Sequence, residues 1–390
     1  VTFFVPEHRI ECGTAANPRG EDRTMITISL CMIVKNEEET LGRCLDSVQG
    51  IADEIIVVDT GSTDRTQEVA RQYTDAVYPY QWTDDFAAAR NYAFSKATGD
   101  YLLWLDADDL LLQPDREKFL SLKETLSPQV DLVMMRYHVA FDSAGNPTFS
   151  YYRERLLKNH AGFLWEGKVH EVITPRGVIV YSDIGVTHRK TRSGDPDRNL
   201  RIYEKMLADG EKLGPRQQFY YGRELVDHRE YAKAIQVLEL FLLEPAAWVE
   251  NKLDACRLLS GCYRQLGWQE DALFALLRGL ALAPPRAELC CDLGAWFLGQ
   301  GRFEEAVFWY QTALSRPRED QSGGFVSPDC YGFLPAIQLC VCLDQLGRRR
   351  EAAAYNELAA TYRPDSKEVA HNRAYFASLG EEPETNSLSL

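Results

Sequence analysis

The chain has 390 residues, enough for two or three domains, and its 45% hydrophobic and 26% charged content is that of an ordinary globular protein. A net charge of −15 argues against DNA or RNA as the main partner, while a phosphate ligand bridged by a metal ion stays compatible with it. No apolar run reaches the ~18 residues of a membrane helix, and the ten cysteines include no CxxC pair, which suits buried thiols in a reducing cytoplasm better than a disulfide framework or zinc site.

Residues 1–24 mix Pro, Gly, Asn and charges without periodicity and are expected to form a disordered leader. From Met25 strands and helices alternate. Ile26–Val34 reads as a buried strand and Glu38–Val48 as a helix. Glu54–Val58 is the second strand, followed by the turn Asp59-Thr60-Gly61-Ser62 and a helix from Thr63 to about Tyr73. Ala76–Tyr80 is a short third strand, and Phe86–Ala97 an alanine-rich helix. Tyr101–Leu105 is apolar at every position, as a parallel strand covered on both faces would be. Such an order implies a parallel sheet with right-handed crossovers. A helix around Arg116–Leu126 follows, then strands at Val130–Phe141 and Ser150–Leu157 joined by the turn 143–147, and strand-like runs at 163–173 and 178–189.

The stretch after Tyr101–Leu105 carries the chemistry. Asp106, Asp108 and Asp109 crowd a strand end, where carboxylates repel unless a cation or hydrogen-bond donors occupy the spot. In open α/β sheets that end of the strand is where ligands sit. Oxygen ligands on a tight turn suit Mg²⁺ or Mn²⁺, which pair one or two carboxylates with substrate phosphates. The plainer reading is a solvated acidic turn that caps the next helix.

Residues 191–214 open with the polar run TRSGDPD and read as a linker. Beyond it the periodicity stays helical. Small residues recur at Ala234, Ala272, Ala306 and Ala352, at intervals of 38, 34 and 46. Twelve positions before them lie the small residues Gly222, Ser260, Gly294 and Cys340, and nine before lie the large Leu225, Tyr263, Phe297 and Leu343. Pro284, Pro317 and Pro364 close units. This pattern over 215–380 resembles the tetratricopeptide repeat, with the insertion 316–330 lengthening the last interval. Residues 381–390 are expected to be a disordered tail.

Four islands fall at strand ends of the first domain: IVKNEEETL, VVDTGSTDRT, ARNYAF and WLDADDLL. Their order resembles the family 2 glycosyltransferases of the GT-A fold, over about 26–190. The resemblance implies a fold class of α/β GT-A domain (25–190) followed by an all-α tetratricopeptide-repeat domain (215–380). It also implies a UDP-sugar donor. Asp59 would accept from the uracil ring, and the backbone at Val34, Lys35, Asn36 and Glu37 would cradle base and ribose. Arg90 would lie near uracil and phosphates, Asp106 would bind ribose, and Asp108 would hold Mn²⁺ or Mg²⁺.

Where many inverting members carry a Glu-Asp pair, this chain has WEGKVHE, similar to a bacterial subgroup containing lipopolysaccharide-core transferases and peptide S-glycosyltransferases. Glu171 is the expected general base, with Glu166 in reserve and His170 able to orient it. In a strand, residues 170 and 171 face opposite ways, so both reach the site only if the strand has ended. His188 is a further metal or diphosphate ligand by the same resemblance, or else a satisfied histidine beside a strand. The implied enzyme is a cytoplasmic, metal-dependent, inverting hexosyltransferase whose repeats help hold a peptide or protein acceptor. A lipid-linked or lipopolysaccharide-core saccharide is the alternative acceptor, and a repeat scaffold with a vestigial transferase domain is the reading of another class. A homodimer through the repeats is compatible with the pattern.

Overall fold

The computed structural model describes residues 25–381 apart from 142–144, 146, 192–193 and 321–322; the expected leader, most of the expected tail and part of the 143–147 turn lie outside the described residues. The chain divides into two compact units between Lys212 and Leu213.

The first unit is built on one sheet. Strands β1 (Ile28–Val34), β2 (Glu54–Asp59), β3 (Val77–Pro79), β4 (Tyr101–Trp104), β5 (Asp109–Leu111), β6 (Leu132–Phe141), β7 (Pro147–Lys158) and β10 (Ile179–His188) are ordered β3-β2-β1-β4-β7-β6-β10-β5. The pairs β3–β2, β2–β1, β1–β4 and β6–β10 are parallel, and β7 and β5 run against their neighbours. The carboxyl ends of β1, β2, β4 and β10 therefore share one edge of the sheet. Helices α1 (Leu41–Ser47) and α4 (Gln113–Thr125) cover the face of Leu30, Met32, Val34 and Leu103. Helix α3 (Phe86–Phe94) covers the face of Cys31, Ile56, Val58, Leu102 and Trp104, and α2 (Thr66–Ala70) follows β2. Burial on both faces is why β1, β2 and β4 read as continuous apolar runs rather than alternating ones.

Three elements depart from the sequence reading. The run 163–173 is a hairpin of two short strands, β8 (Trp165–Glu166) and β9 (Val172–Ile173), because Gly167 (φ 95°) and His170 (φ 51°) take left-handed backbone that ends a strand. Asp109–Leu111 forms β5 and pairs with β10, a strand too short for periodicity to reveal. Within 191–214, read as linker, lies helix α5 (Arg198–Ala208), which buries Ile202, Tyr203 and Met206 on one face.

The second unit is helical: α6 (Pro215–Asp227) with α7 (Tyr231–Leu242), α8 (Val249–Gln265) with α9 (Gln269–Leu282), α10 (Ala287–Gly299) with α11 (Phe303–Leu314), α12 (Phe333–Gln345) with α13 (Arg349–Tyr362), and a last helix α14 (Lys367–Ser378). Ala234, Ala272, Ala306 and Ala352 are all fully buried. A Cβ on Gly222 would lie 2.5 Å from Leu238 and one on Gly294 2.8 Å from Tyr310, so the small positions are where the two helices of a pair touch. Helices α9, α11 and α13 stop just before Pro284, Pro317 and Pro364. The tetratricopeptide pattern is thus realised as four helix pairs.

Candidate active site

At the carboxyl edge of the sheet the chain leaves β4 into a tight turn, in which Asp109 N–H donates to the Asp106 carbonyl (3.0 Å) and Asp106 N–H to Asp109 Oδ2 (3.1 Å). The three carboxylates of that turn meet three different fates.

Asp106 is paired with Arg90, whose Nη2 donates to its Oδ1 at 2.8 Å. Burial pushes the Asp106 carboxyl up, but the charges of Arg90 and then Arg155, with the Arg90 hydrogen bond, outweigh it and hold the group at about 2. Asp109 is fully buried and accepts from four donors: Tyr137 Oη (3.0 Å) and His188 Nδ1 (3.2 Å) at Oδ1, Arg155 Nη1 (3.0 Å) and the Asp106 N–H at Oδ2. Two oxygens offer about four lone-pair sites, so Asp109 has none to spare. Among the described residues no arginine pairs with Asp108. Burial raises its carboxyl, and the charges of Asp106, Asp109 and Glu37 add to the rise, with His188 opposing them. His188 Nδ1 lies 3.4 Å from Asp108 Oδ1, and the hydrogen bond to Asp109 raises the imidazole against its own burial.

Asp108, Asp109 and His188 form a cluster that could hold a metal ion. The lone-pair count separates them. Asp109 fixes the Nδ1 side of His188, as carboxylates do behind metal-binding histidines, and Asp108 and His188 are the two with capacity left.

Arg90 is at the centre. Its Nε donates to Glu171 Oε1 at 2.7 Å, so one buried guanidinium ties the β4 turn to the β8–β9 hairpin. The guanidinium lies 5.2 Å from the Trp104 ring centroid and 4.8 Å from that of Trp165. Glu171 and His170 follow the end of β8, the condition under which they escape strict alternation. Glu171 turns to Arg90, while His170 stacks at 6.4 Å on Tyr203 of α5. Glu166 is exposed on β8 opposite Val172.

On the other side, the loops after β1 and β2 are laced together. Asn36 N–H donates to Ser62 Oγ (2.9 Å), Asn36 Oδ1 accepts from Thr63 N–H (2.8 Å), and Glu37 N–H donates to Thr66 Oγ1 (2.6 Å). Asn36 takes φ 56°, a conformation asparagine tolerates. Asp59, buried at the end of β2, accepts from Ser62 N–H and from Gln67 Nε2 (2.6 Å). Val34 pairs with Asp59 across β1 and β2, and Lys35 is exposed beside it.

The sheet thus brings Val34–Glu37, Asp59, Arg90, Asp106, Asp108 and His188 to one edge, with Arg90 drawing Glu171 toward Asp106. Sequence reasoning placed Arg90 near a nucleotide; in the structure its side chain is bound to two carboxylates, Asp106 and Glu171. It counted Asp109 only as one of three crowded carboxylates, and passed over Tyr137, Arg155 and the edge-to-face contact of Trp104 with Trp165. Arg155, from β7, is fully buried between the rings of Trp104 (3.8 Å) and Tyr137 (4.4 Å), and no local motif marks a residue 46 positions from the carboxylate it serves.

Residues 29–176 match the family described as Glycosyl transferase family 2. TPR repeat-containing protein Synpcc7942_0270 of Synechococcus elongatus (strain ATCC 33912 / PCC 7942 / FACHB-805) is 31% identical over 300 residues, covering 75% of this chain and 67% of that protein. SPbeta prophage-derived glycosyltransferase SunS of Bacillus subtilis (strain 168) is 29% identical over 214 residues, 51% of this chain and 49% of SunS. Lipopolysaccharide core biosynthesis glycosyltransferase LpsC of Rhizobium meliloti (strain 1021) is 30% identical over 164 residues, 40% of this chain and 59% of LpsC. The chain spans about half the length of SunS and under two thirds of LpsC. Among the described residues no helix is long and apolar enough to cross a membrane.

Proposed function

Since the chain belongs to glycosyltransferase family 2 and carries tetratricopeptide repeats behind that domain, we propose that it moves a hexose from a UDP-sugar to a peptide or protein acceptor with inversion at the anomeric carbon. The observation that carries this reading is the Glu171–Arg90–Asp106 link, which sets a carboxylate beside the turn expected to hold the donor.

In this reading the laced loops at Val34–Glu37 and Asp59 receive the nucleotide base, and Asp106 receives the ribose. The acceptor O–H or S–H attacks the anomeric carbon, its proton passes to the Glu171 carboxylate, and the bond from that carbon to the diphosphate oxygen breaks as UDP leaves. Arg90 holds Glu171 at a fixed place while this happens. Asp108, short of positive charge, and His188, oriented by Asp109, fit a hard divalent cation, and we assign Mn²⁺ or Mg²⁺ to them. Such an ion would supply positive charge to the departing diphosphate. The repeats would help to hold the acceptor. The nine described cysteines are buried free thiols, which supports action in the cytoplasm. A saccharide acceptor is the second reading, favoured by the likeness to LpsC.

Calorimetric titration of UDP with and without Mn²⁺ tests the donor site. Metal-dependent binding that Asp108→Ala abolishes is expected; binding indifferent to both metal and substitution would remove the assignment.

A further inference from the structure

The insertion that stretches the last repeat interval does not hang free of the helices. Its residues 323–330, together with Tyr331, lie along the first helices of three successive pairs. Phe325 sits beneath Arg223 of α6, with the guanidinium carbon 4.5 Å from the ring centroid. The backbone at Gly323 passes the Trp248 ring at the start of α8, where an added Cβ would come within 3.1 Å. At Gly324 a Cβ would lie 2.3 Å from Glu250 Oε2 and 3.0 Å from Arg286 Nη1, the two members of an ion pair joining α8 to the start of α10. Val326 is buried. Ser327 N–H donates to Glu288 Oε1 at 2.7 Å, and Tyr331 Oη donates to Oε2 of the same buried glutamate at 2.9 Å.

These contacts are those of a bound peptide. One glycine lets the main chain pass a tryptophan ring and the next lets it approach an ion pair, an aromatic ring stacks under an arginine, an aliphatic side chain is buried, and a buried carboxylate takes a main-chain N–H. Next to the segment the same face of α8 and α10 continues as a cleft of ≈ 220 Å³ lined by Asp254, Arg257, Arg264, Asp292 and Trp296. Arg257 there is held between Asp292 (2.5 Å) and Asp254 (3.6 Å).

We infer that residues 323–327 are an internal ligand of the repeat unit, filling a docking site for an extended polypeptide with small residues followed by an aromatic and an aliphatic one. An external polypeptide of that chemistry binds by displacing the segment. The inference rests on the reading that the repeats receive a polypeptide acceptor.

The probe is a fluorescent synthetic peptide of residues 319–329, titrated by anisotropy into the full chain and into a full chain whose residues 319–327 are replaced by a Gly-Ser linker. A tethered segment acts at an effective concentration on the order of millimolar. For a peptide Kd of about 100 µM the intact chain should therefore bind about tenfold more weakly than the replaced one. Glu288→Gln in the replaced chain should weaken binding by about fivefold, since the N–H loses a charged acceptor. Equal affinity for the two chains, or no binding to a replaced chain with unchanged helical circular dichroism, would overturn the inference. Should the replacement unfold the repeats, Phe325→Ser in the intact chain decides: the peptide should bind it more tightly than the unmodified chain, and no difference refutes the proposal. UDP titration of the same proteins keeps the questions apart, because loss of UDP binding would sink the donor site and leave the peptide result standing.

Discussion

The two units specify themselves in opposite ways. In the repeats each defining residue packs against a partner one helix away: Gly222 under Leu238, Gly294 under Tyr310. Information is local and repeated, so a period can be read from the chain. In the α/β unit the residues that matter find their partners far off in sequence. Arg90 joins Asp106 and Glu171, and Arg155 on β7 serves Asp109 beside β4. Packing by period tolerates small damage. A charge network tolerates little, because each partner removed leaves a buried charge uncompensated.

The sharpest test of the network is Glu171→Gln, an isosteric change that keeps the hairpin and removes the proton acceptor. Transfer to acceptor should fall by about 10²–10⁴, the usual share of a general base, while UDP affinity stays within a factor of about three, well inside the tenfold that 1.4 kcal/mol would produce. A single-turnover assay with labelled donor reads the first and calorimetry the second. Wild-type transfer would take the base away from Glu171.

Arg155→Met comes next. It removes the counter-charge of a fully buried Asp109, for which the usual cost is about 3–5 kcal/mol. Urea unfolding should show that loss in the transition of the α/β unit. Metal affinity should fall with it, because Asp109 orients His188. Unchanged stability would mean that the two aromatic faces, rather than the ion pair, carry Arg155.

How much of this was legible follows the same division. The repeats were readable because alanine, glycine and proline recur where helices must touch or stop. The strands β1, β2 and β4 were readable because burial on both faces leaves unbroken apolar runs. The short strand β5 and the hairpin β8–β9 were not, since two or three residues carry no period and the hairpin is set by left-handed backbone at Gly167 and His170. Helix α5 was hidden behind a polar opening, although Ile202, Tyr203 and Met206 share a helical face. At the site, Asp106 and Asp108 stand out in the run WLDADDLL, and His188 was named only through the family resemblance. That Arg90 serves two carboxylates, and that Asp109 is saturated, depended on side chains brought from β7 and β8–β9.

In the repeats, Gly294→Ala should cost about 1–3 kcal/mol, the range for overpacking, as the added methyl meets the Tyr310 ring. Hydrogen exchange should show the loosening in α10 and α11, with UDP binding unaltered. A loss of UDP binding would show that the two units are coupled more tightly than their separate logics require.

The smallest effect is expected at Glu166, and it is the one that separates the two candidate bases. Glu166 is the second residue of β8, next to the buried Trp165, and shares a motif with Glu171, so the sequence separates them only as first choice and reserve. The structure gives them different surroundings. Glu166 is exposed, its backbone paired with Val172, whereas the Glu171 side chain is only 12% exposed and is gripped by Arg90. A base must keep a fixed reach to the acceptor, and a solvated side chain on a strand has nothing to fix it. Glu166→Gln should therefore leave both transfer rate and unfolding midpoint near wild type, within about 0.5 kcal/mol for a surface substitution. A hundredfold loss of transfer in Glu166→Gln, with Glu171→Gln active, would reverse the roles and turn the Arg90–Glu171 pair into a structural tie between hairpin and sheet.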